Sequence, residues 1–246
     1  PIMMALSAAR GNKTPIIFVP SMHQDLFDDP VTSDLLEKIS LEGNYYFVDS
    51  EKEGRRKQPS PVVIVSKLSN LINSFQENRR KVAITLGATR APIDSVRAIQ
   101  NASSGKTGWA IAEYLFMVGH EVHCIAGKTS SNPSIELPNI IRAGSPEEML
   151  SESLSLVKID VKPDVWIHSA AVLDYSMVAE KGKRPSGQDK WEIELRPTLK
   201  HISELSDLVG DCIRIGVKLE TDVSEEELIQ KSLNQISKYG VDYVIA

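Results

Sequence analysis

The chain has 246 residues, 41% of them hydrophobic, which is enough for one large core or two smaller ones. Its formal net charge of −5 argues against general binding to nucleic acids or membrane surfaces, which usually shows as a basic excess. No apolar run is long enough to span a bilayer, no signal-peptide pattern is present, and Cys124 and Cys212, the only cysteines, lie in apolar runs. We therefore expect a cytoplasmic protein with two buried, free thiols.

The first 78 residues alternate short apolar runs with segments of helical period, which predicts an α/β segment. One helix is expected to end at Gly43, and another to begin with Ser60 as N-cap and Pro61 at its first position. The charged run "QENRRK", residues 76–81, is the predicted linker, and we place the domain boundary between residues 78 and 79. In chain order the predicted elements are a strand at 15–19, a helix at 30–43, a strand at 45–48 and a helix at 60–75.

The remainder repeats the order strand, loop, helix, which predicts a Rossmann-like, doubly wound, mostly parallel sheet from about residue 79. "WEIEL", residues 191–195, alternates apolar and charged residues and is predicted as a half-exposed strand outside the main sheet. Since the chain starts inside a helical pattern and stops directly after a strand pattern, we expect further residues on both sides. The other predicted elements are strands at 81–87, 121–127, 138–144, 212–217 and 242–246, a strand from 164 that runs into a loop by 175, a loop at 88–104, and helices at 105–119, 145–157 and 224–240.

The stretch "NASSGKTG", residues 101–108, has the ending of a phosphate-binding P-loop, but that motif needs a glycine where Gln100 stands. The glycine fingerprint of dinucleotide-binding proteins is also missing after the preceding strand. An anion site is still favoured, because Ser103, Ser104 and Gly105 lead into a helix start whose N–H groups attract phosphate, and Lys106 adds a positive charge. The alternative is an ordinary serine-capped helix with a solvated lysine.

A second cluster begins with Ala170 and Ala171, which follow a core strand at the end where open α/β sheets bind ligands; Asp174 comes soon after. Lys181 and Lys183 then lie in a segment rich in Gly, Pro and Ser. Mobile lysines beside a nucleotide site suit a polyphosphate, and a solvated surface loop is the alternative. The five histidines show no metal-ligand spacing, so a zinc site is not expected.

Taken in order, these motifs resemble phosphopantothenoylcysteine synthetase, the second activity of the bifunctional coenzyme A biosynthesis flavoprotein. "LGATRAPIDSVRAIQNASSGKTG" is similar to the family's G-G-T-R-E-P-I-D-x-V-R-x-I-x-N-x-S-S-G-K-M-G, "AAVLDY" to A-A-V-A-D-Y, and "GVKLETD" to F-K-L-E-T. The first part resembles the back half of the partner decarboxylase, a flavodoxin-like FMN domain, with His23 where bacterial members carry Asn. The resemblance assigns residues 1–78 to that decarboxylase and 79–246 to the synthetase, and it implies that this fragment does not decarboxylate by itself.

The resemblance implies a ligase that joins 4'-phosphopantothenate to L-cysteine through an acyl-nucleotide, with CTP or ATP as co-substrate and Mg²⁺. CTP is favoured, because fusion to a decarboxylase goes with CTP in bacterial relatives. The intact protein is expected also to decarboxylate 4'-phosphopantothenoylcysteine with FMN, and the synthetase domain to form a homodimer with "WEIEL" near the partner subunit. Two alternatives stay open: an NAD(P)-dependent short-chain oxidoreductase, suggested by the strand before "GATR", and a non-catalytic nucleotide-binding domain.

The same resemblance assigns two catalytic roles: Lys181 stabilises the triphosphate during activation, and Asn101 binds the acyl-nucleotide for attack by cysteine. Nucleotide contacts are assigned to Ala170, Ala171, Asp174, Lys181, Thr198, Leu199, Lys200, His201, Val217 and Lys238. Phosphate and substrate contacts are assigned to Gly87, Arg90, Ser103, Ser104, Gly105, Lys106 and Lys183. His23 is the decarboxylase-like position.

Overall fold

The computed structural model describes residues 2–49, 51–52, 54–158, 162–187 and 189–246. Contacts between residues divide the chain into two units, Pro1–Lys67 and Leu68–Ala246. This division falls before the linker predicted at residues 76–81, and the domain boundary at residues 78 and 79 stays a prediction. Among the described residues, no helix combines the length and the apolar character that crossing a membrane requires.

The first unit is an α/β segment with two small sheets. Its elements are α1 (Ile2–Gly11), β1 (Ile17–Phe18), β2 (Met22–His23), α2 (Gln24–Phe27), α3 (Pro30–Leu41), β3 (Tyr45–Tyr46), β4 (Glu51–Lys52) and β5 (Arg55–Arg56); α4 (Pro61–Asn73) contains the boundary between the units. β1 and β3 are parallel and joined through α3, whereas β2, β5 and β4 form an antiparallel sheet. Gly43 follows α3 with φ at +75°, which confirms the predicted end of this helix.

The second unit is built on a six-stranded parallel sheet. Its elements are β6 (Lys81–Leu86), β7 (Arg90–Pro92), β8 (Ala98–Gln100), α5 (Lys106–Met117), β9 (Glu121–Ala126), β10 (Asn139–Arg142), α6 (Pro146–Val157), β11 (Val165–His168), β12 (Tyr175–Ser176), β13 (Arg196–Pro197), α7 (His201–Glu204), β14 (Ile213–Val217), α8 (Glu225–Tyr239) and β15 (Tyr243–Ile245). The sheet order is β10-β9-β6-β11-β14-β15. Counted along the unit, this is the order 3-2-1-4-5-6 of doubly wound nucleotide-binding folds, and the predicted Rossmann-like fold is confirmed.

Alternate residues of β6 and its neighbours enter two separate cores, because successive side chains of a strand point to opposite faces. Ile84 packs in one core with Trp109 of α5, and Ala83 packs in the other with Trp166 of β11 and Met149 of α6. Cys124 and Cys212 each lie in one of these cores as free, buried thiols, as predicted. Burial raises the pKa of Cys124 to about 12, so this thiol stays protonated.

Two sequence-based expectations outside the sheet are wrong. Residues 191–195 form no strand, although their apolar and charged residues alternate, because no neighbouring strand pairs with them among the described residues; the short strand β13 follows them and pairs with β12. The segment 88–104 is not a plain loop, since β7 and β8 form an antiparallel hairpin within it. Alternation alone therefore did not identify strands here, because a strand also needs a partner.

Candidate functional site

A cleft of about 700 Å³ lies at the carboxyl ends of β6 and β11. The chain leaves β6 toward β9 and β10 on one side and returns to β11 on the other, so these strands flank the point at which the strand order reverses. Open α/β sheets bind ligands at this point, because the loops that follow the two strands diverge. Gly87, which follows β6, and Ala170 and Ala171, which follow β11, line the cleft.

The start of α5 forms one end of the cleft, where Ser103, Ser104, Gly105 and Lys106 line it. Gly105 is the N-cap of the helix, and no side chain caps it. The N–H of Gly105 donates to the Ser103 hydroxyl at 3.4 Å, and the N–H of Lys106 donates to the Ser104 hydroxyl at 3.3 Å. Since a helix start concentrates N–H groups and positive partial charge, and Lys106 adds a full charge, this end suits a phosphate.

Gly87 and Gly105 meet at this end in a way that only glycine permits. Both have left-handed backbones, with φ of +78° and +77°. A Cβ added to Gly87 would lie 2.7 Å from the Thr129 methyl, and one added to Gly105 would lie 2.5 Å from the same methyl. A side chain at either position would therefore strain the backbone and overlap Thr129.

Asn101 ties the segment before α5 to the loop after β11. Its Nδ2 donates to the Ala171 carbonyl at 3.1 Å, and this carbonyl also accepts from the N–H of Thr89 at 3.1 Å. The N–H of Ala171 donates in turn to the Gly87 carbonyl at 2.8 Å. Asn101 is partly buried and does not itself line the cleft, so it is one hydrogen bond away from a residue that does.

The opposite end of the cleft is formed by residues 199–201, at the start of α7, and by Val217, which ends β14. Asp174 and Lys200 form an ion pair on the surface of this end. The N–H of Thr198 donates to the Asp174 carbonyl at 2.9 Å, which fixes the two segments relative to each other. Four predicted contacts with the nucleotide, at residues 174 and 199–201, are thereby brought together around one wall of the cleft.

Two histidines line the cleft, and the sequence analysis singled out only His201. His168 is the last residue of β11, and its pKa is lowered to about 3, mainly by burial and also by the positive charge of Arg214 and by the neighbouring imidazole of His201. Burial also lowers the pKa of His201. The Nε2 of His168 and the Nδ1 of His201 are buried and have no hydrogen-bond partner among the described residues. Neutral imidazoles of this kind both donate and accept hydrogen bonds, so this end suits a polar, uncharged group such as a nucleobase or a ribose.

Sequence reasoning missed His168 although a signal for it existed. The rule that selected Ala170, namely the carboxyl end of a core strand, applies equally to His168. Gln235 and Tyr239 of α8 also line the cleft, and no sequence signal placed them there, because the helix reaches the cleft only through the packing of the sheet.

Several predicted residues do not line the cleft: Arg90, Asn101, Lys181, Lys183, Thr198 and Lys238. The ammonium group of Lys238 lies 5.2 Å from the ring centroid of Tyr239, which does line it. Lys181, Lys183 and Arg90 are exposed. The segment that contains the two lysines is hydrogen-bonded to the turn between β7 and β8. His23 lies in the first unit, where its half-exposed ring pairs with Asp25 at 3.1 Å.

The cleft does not offer a metal-binding cage. The described residues contain no group of three or more His, Cys, Asp or Glu placed to hold a metal ion. Among the described residues, Asp174 is the one that brings a side-chain carboxylate to the cleft wall, and it pairs with Lys200. The wall residues do not fit a protein-bound Mg²⁺, which needs oxygen ligands in octahedral geometry, and no step is assigned to a resident metal.

Comparison with known proteins gives a family match over most of the chain. The model of the family described as "DNA/pantothenate metabolism flavoprotein C-terminal domain" matches residues 77–246. The chain is 36% identical over 233 residues to "Coenzyme A biosynthesis bifunctional protein CoaBC" of Thermococcus kodakarensis, and 30% identical over 239 residues to the protein of the same name of Methanocaldococcus jannaschii. These alignments cover 95% and 96% of this chain, which spans 57% of the length of each of these curated relatives.

Solved structures share the fold. "The Crystal Structure of the DNA/Pantothenate Metabolism Flavoprotein from Streptococcus pneumoniae" superposes with a TM-score of 0.59 at 29% identity, over 68% of this chain and 81% of that one. The "C-terminal Domain of Coenzyme A biosynthesis bifunctional protein CoaBC" superposes with a TM-score of 0.55, also at 29% identity, over 71% of this chain and 79% of that one.

Proposed function

Because this chain belongs to the DNA/pantothenate metabolism flavoprotein C-terminal domain family, we propose that it is a phosphopantothenate–cysteine ligase of coenzyme A biosynthesis. The carboxylate of 4'-phosphopantothenate attacks the α-phosphate of CTP, an acyl-cytidylate forms and pyrophosphate leaves. The amine of L-cysteine then attacks the acyl carbon, the amide forms and CMP leaves. ATP is the alternative co-substrate.

One observation carries this proposal beyond the family match: the cleft at the strand-order reversal has two chemically different ends. The start of α5, with Lys106, suits the phosphates of a nucleotide, and the end with His168 and His201 suits its uncharged part. A nucleoside triphosphate laid across the β6 and β11 ends would therefore meet complementary groups at both ends. Mg²⁺ would enter as its complex with the triphosphate.

The roles of the two catalytic residues are those that the family resemblance implies, and they agree with what each step needs. The first step develops charge on the phosphates, and Lys181, exposed and positively charged, supplies a cation that neutralises it. The second step needs the acyl-cytidylate held while cysteine approaches, and we assign this role to Asn101; its hydrogen bond to Ala171 of the cleft wall supports the assignment. The remaining nucleotide and phosphate contacts named from the sequence are part of the same proposal.

We extend the proposal to the whole protein, which would also decarboxylate 4'-phosphopantothenoylcysteine with FMN. The first unit alone does not fit a flavin, because its parallel pair consists of two strands of two residues each. No step is therefore assigned to His23. We also propose a homodimer of the synthetase domain, supported by the exposed apolar side chains of Val178, Ile193 and Leu195 outside the sheet; sedimentation equilibrium would test it.

The direct test is a two-part assay on the purified protein. Pyrophosphate release is measured with CTP or ATP and 4'-phosphopantothenate, and formation of the nucleoside monophosphate is then measured on addition of cysteine. Activity with one nucleotide and a dependence of the second step on cysteine support the proposal. Since the strand order is shared with dinucleotide-binding proteins, NADH fluorescence serves as a control, and enhancement on binding would favour the oxidoreductase alternative.

A further inference from the structure

Asp94, in the turn between β7 and β8, is a buried carboxylate whose bonds reach a distant part of the chain. It is 4% exposed. Its Oδ1 accepts from the N–H groups of Val96 at 2.8 Å and Arg97 at 2.7 Å, and its Oδ2 accepts from Nη1 of Arg97 at 2.7 Å and from the N–H of Arg184 at 3.2 Å. Hydrogen bonds from the backbone of Val96, Arg97 and Arg184 and the charge of Arg97 lower the pKa of Asp94 to about 2, so it is ionised at neutral pH.

The same turn holds residues 180–184, here called the lysine segment, by further backbone bonds. The N–H of Glu180 donates to the Ile93 carbonyl at 2.8 Å, and the N–H of Ser95 donates to the Gly182 carbonyl at 3.1 Å. Both terminal nitrogens of Arg97 donate to the carbonyl of Arg184 at 3.3 Å. The backbone of the lysine segment is therefore fastened at its start, its middle and its end.

Trp191 completes the cluster. The guanidinium carbons of Arg97 and Arg184 each lie 5.0 Å from its ring centroid, a distance typical of cation–π contacts. Nη1 of Arg184 also donates to Glu180 at 2.8 Å. The two arginines are thus engaged in holding the segment, whereas Lys181 and Lys183 are exposed and make no ion pair with any residue that the structure describes.

We propose that Asp94 is a positioning residue that holds the lysine segment, and with it Lys181, in the conformation used for attack on the triphosphate. The inference rests on the proposed function. The hairpin of β7 and β8 leads directly into Asn101, so the residues assigned to the two steps are attached to the base and to the tip of one hairpin. The carboxylate of Asp94 accepts hydrogen bonds from three donors in the turn, on Val96 and Arg97, and from one donor in the lysine segment, the N–H of Arg184.

The physical reason is pre-organisation. A lysine on an untethered segment must lose backbone and side-chain freedom each time it meets the triphosphate, and this raises the barrier of the step that it assists. In Asp94→Asn the side chain keeps its size but loses its charge, and an amide N–H replaces one acceptor beside the donors of Arg97 and Arg184. We expect the segment to detach while the sheet and the cleft stay folded.

The test compares Asp94→Asn with Glu192→Gln, which changes an exposed carboxylate of the same region. Cleavage by trypsin after Lys181 and Lys183 is followed by mass spectrometry, and pyrophosphate release is followed in a single turnover. Asp94→Asn should be cleaved at least ~10-fold faster and release pyrophosphate at least ~10-fold more slowly, without accumulating acyl-nucleotide. Glu192→Gln should match the wild type in both assays.

An unchanged cleavage rate or an unchanged pyrophosphate rate in Asp94→Asn overturns the inference. If that variant does not fold, Trp191→Leu removes the ring between the two arginines and should accelerate cleavage in the same direction; cleavage at the wild-type rate in this variant overturns the inference as well. Absence of pyrophosphate release from the wild type would contradict the proposed function instead, and the trypsin assay would still decide whether Asp94 holds the segment.

Discussion

Replacing Gly105 by alanine should damage both the fold and the phosphate end of the cleft. Two effects add: the backbone at φ +77° disfavours a side chain by about 1–2 kcal/mol, and the new Cβ would lie 2.5 Å from the Thr129 methyl. Overlap of this kind in a packed site costs about 1–3 kcal/mol. The free energy of unfolding should therefore fall by about 3 kcal/mol in total. Gly210→Ala is the matched control, because Gly210 has φ at +61° but nothing within 4 Å of an added Cβ; it should lose only about 1 kcal/mol.

Urea unfolding followed by tryptophan fluorescence measures these losses in the second unit, since all three tryptophans lie there. Adding Thr129→Ser to Gly105→Ala removes the overlapping methyl. The double variant should recover about 1–2 kcal/mol of the free energy of unfolding, while the backbone strain remains. The KM for CTP should rise ~10-fold in Gly105→Ala and stay unchanged in Gly210→Ala. If Gly105→Ala loses no more stability than Gly210→Ala, or if Thr129→Ser restores none of it, the Thr129 methyl does not restrict this position.

Three further changes have separable outcomes. Lys181→Gln should block pyrophosphate release, because the cation assigned to the triphosphate is gone; release at the wild-type rate would contradict its role. Asn101→Asp should let the acyl-nucleotide accumulate, detected by mass spectrometry, and equal loss of both steps would contradict the division of roles. Since unfolded histidine binds a proton below pH 6.5, whereas burial and the charge of Arg214 lower the pKa of His168 to about 3, the contribution of His168 to the free energy of unfolding should fall by about 2 kcal/mol between pH 7 and pH 5. His168→Gln should reduce this pH dependence in urea titrations but not abolish it, because burial also lowers the pKa of His201; an unchanged dependence would show that His168 is not responsible.

The sheet and its main helices could be predicted from the sequence because their signals are local. The apolar runs of β6, β9 and β14 have strand length, and the Ser145 and Ser224 starts of α6 and α8 carry the spacing of a capping box, which both helices form. Gly240 ends α8 with φ at +61°, as its position after the helical pattern predicts. Such features depend on a few neighbouring residues, so a single sequence contains them.

Features that depend on residues far apart in the chain could not be predicted from the sequence. "WEIEL" has the alternation of a strand, but no partner strand lies beside it among the described residues, and the pattern alone misled. The hairpin of β7 and β8 and the short helix α7 carry no strong local period, and the bonds from Asp94 to residue 184 join segments about 90 residues apart. At the cleft, His168 could have been predicted, because ligands bind at the carboxyl ends of parallel strands. Gln235 and Tyr239 could not, because only the three-dimensional packing of α8 brings them to the cleft.

We propose that this protein activates a carboxylate with a nucleoside triphosphate and passes the acyl group to cysteine. The most direct measurement is pyrophosphate release from CTP in the presence of 4'-phosphopantothenate, followed by release of CMP after cysteine is added. We predict pyrophosphate before cysteine and CMP only after it, with formation of 4'-phosphopantothenoylcysteine. Absence of pyrophosphate release with both CTP and ATP would contradict the proposed ligase function.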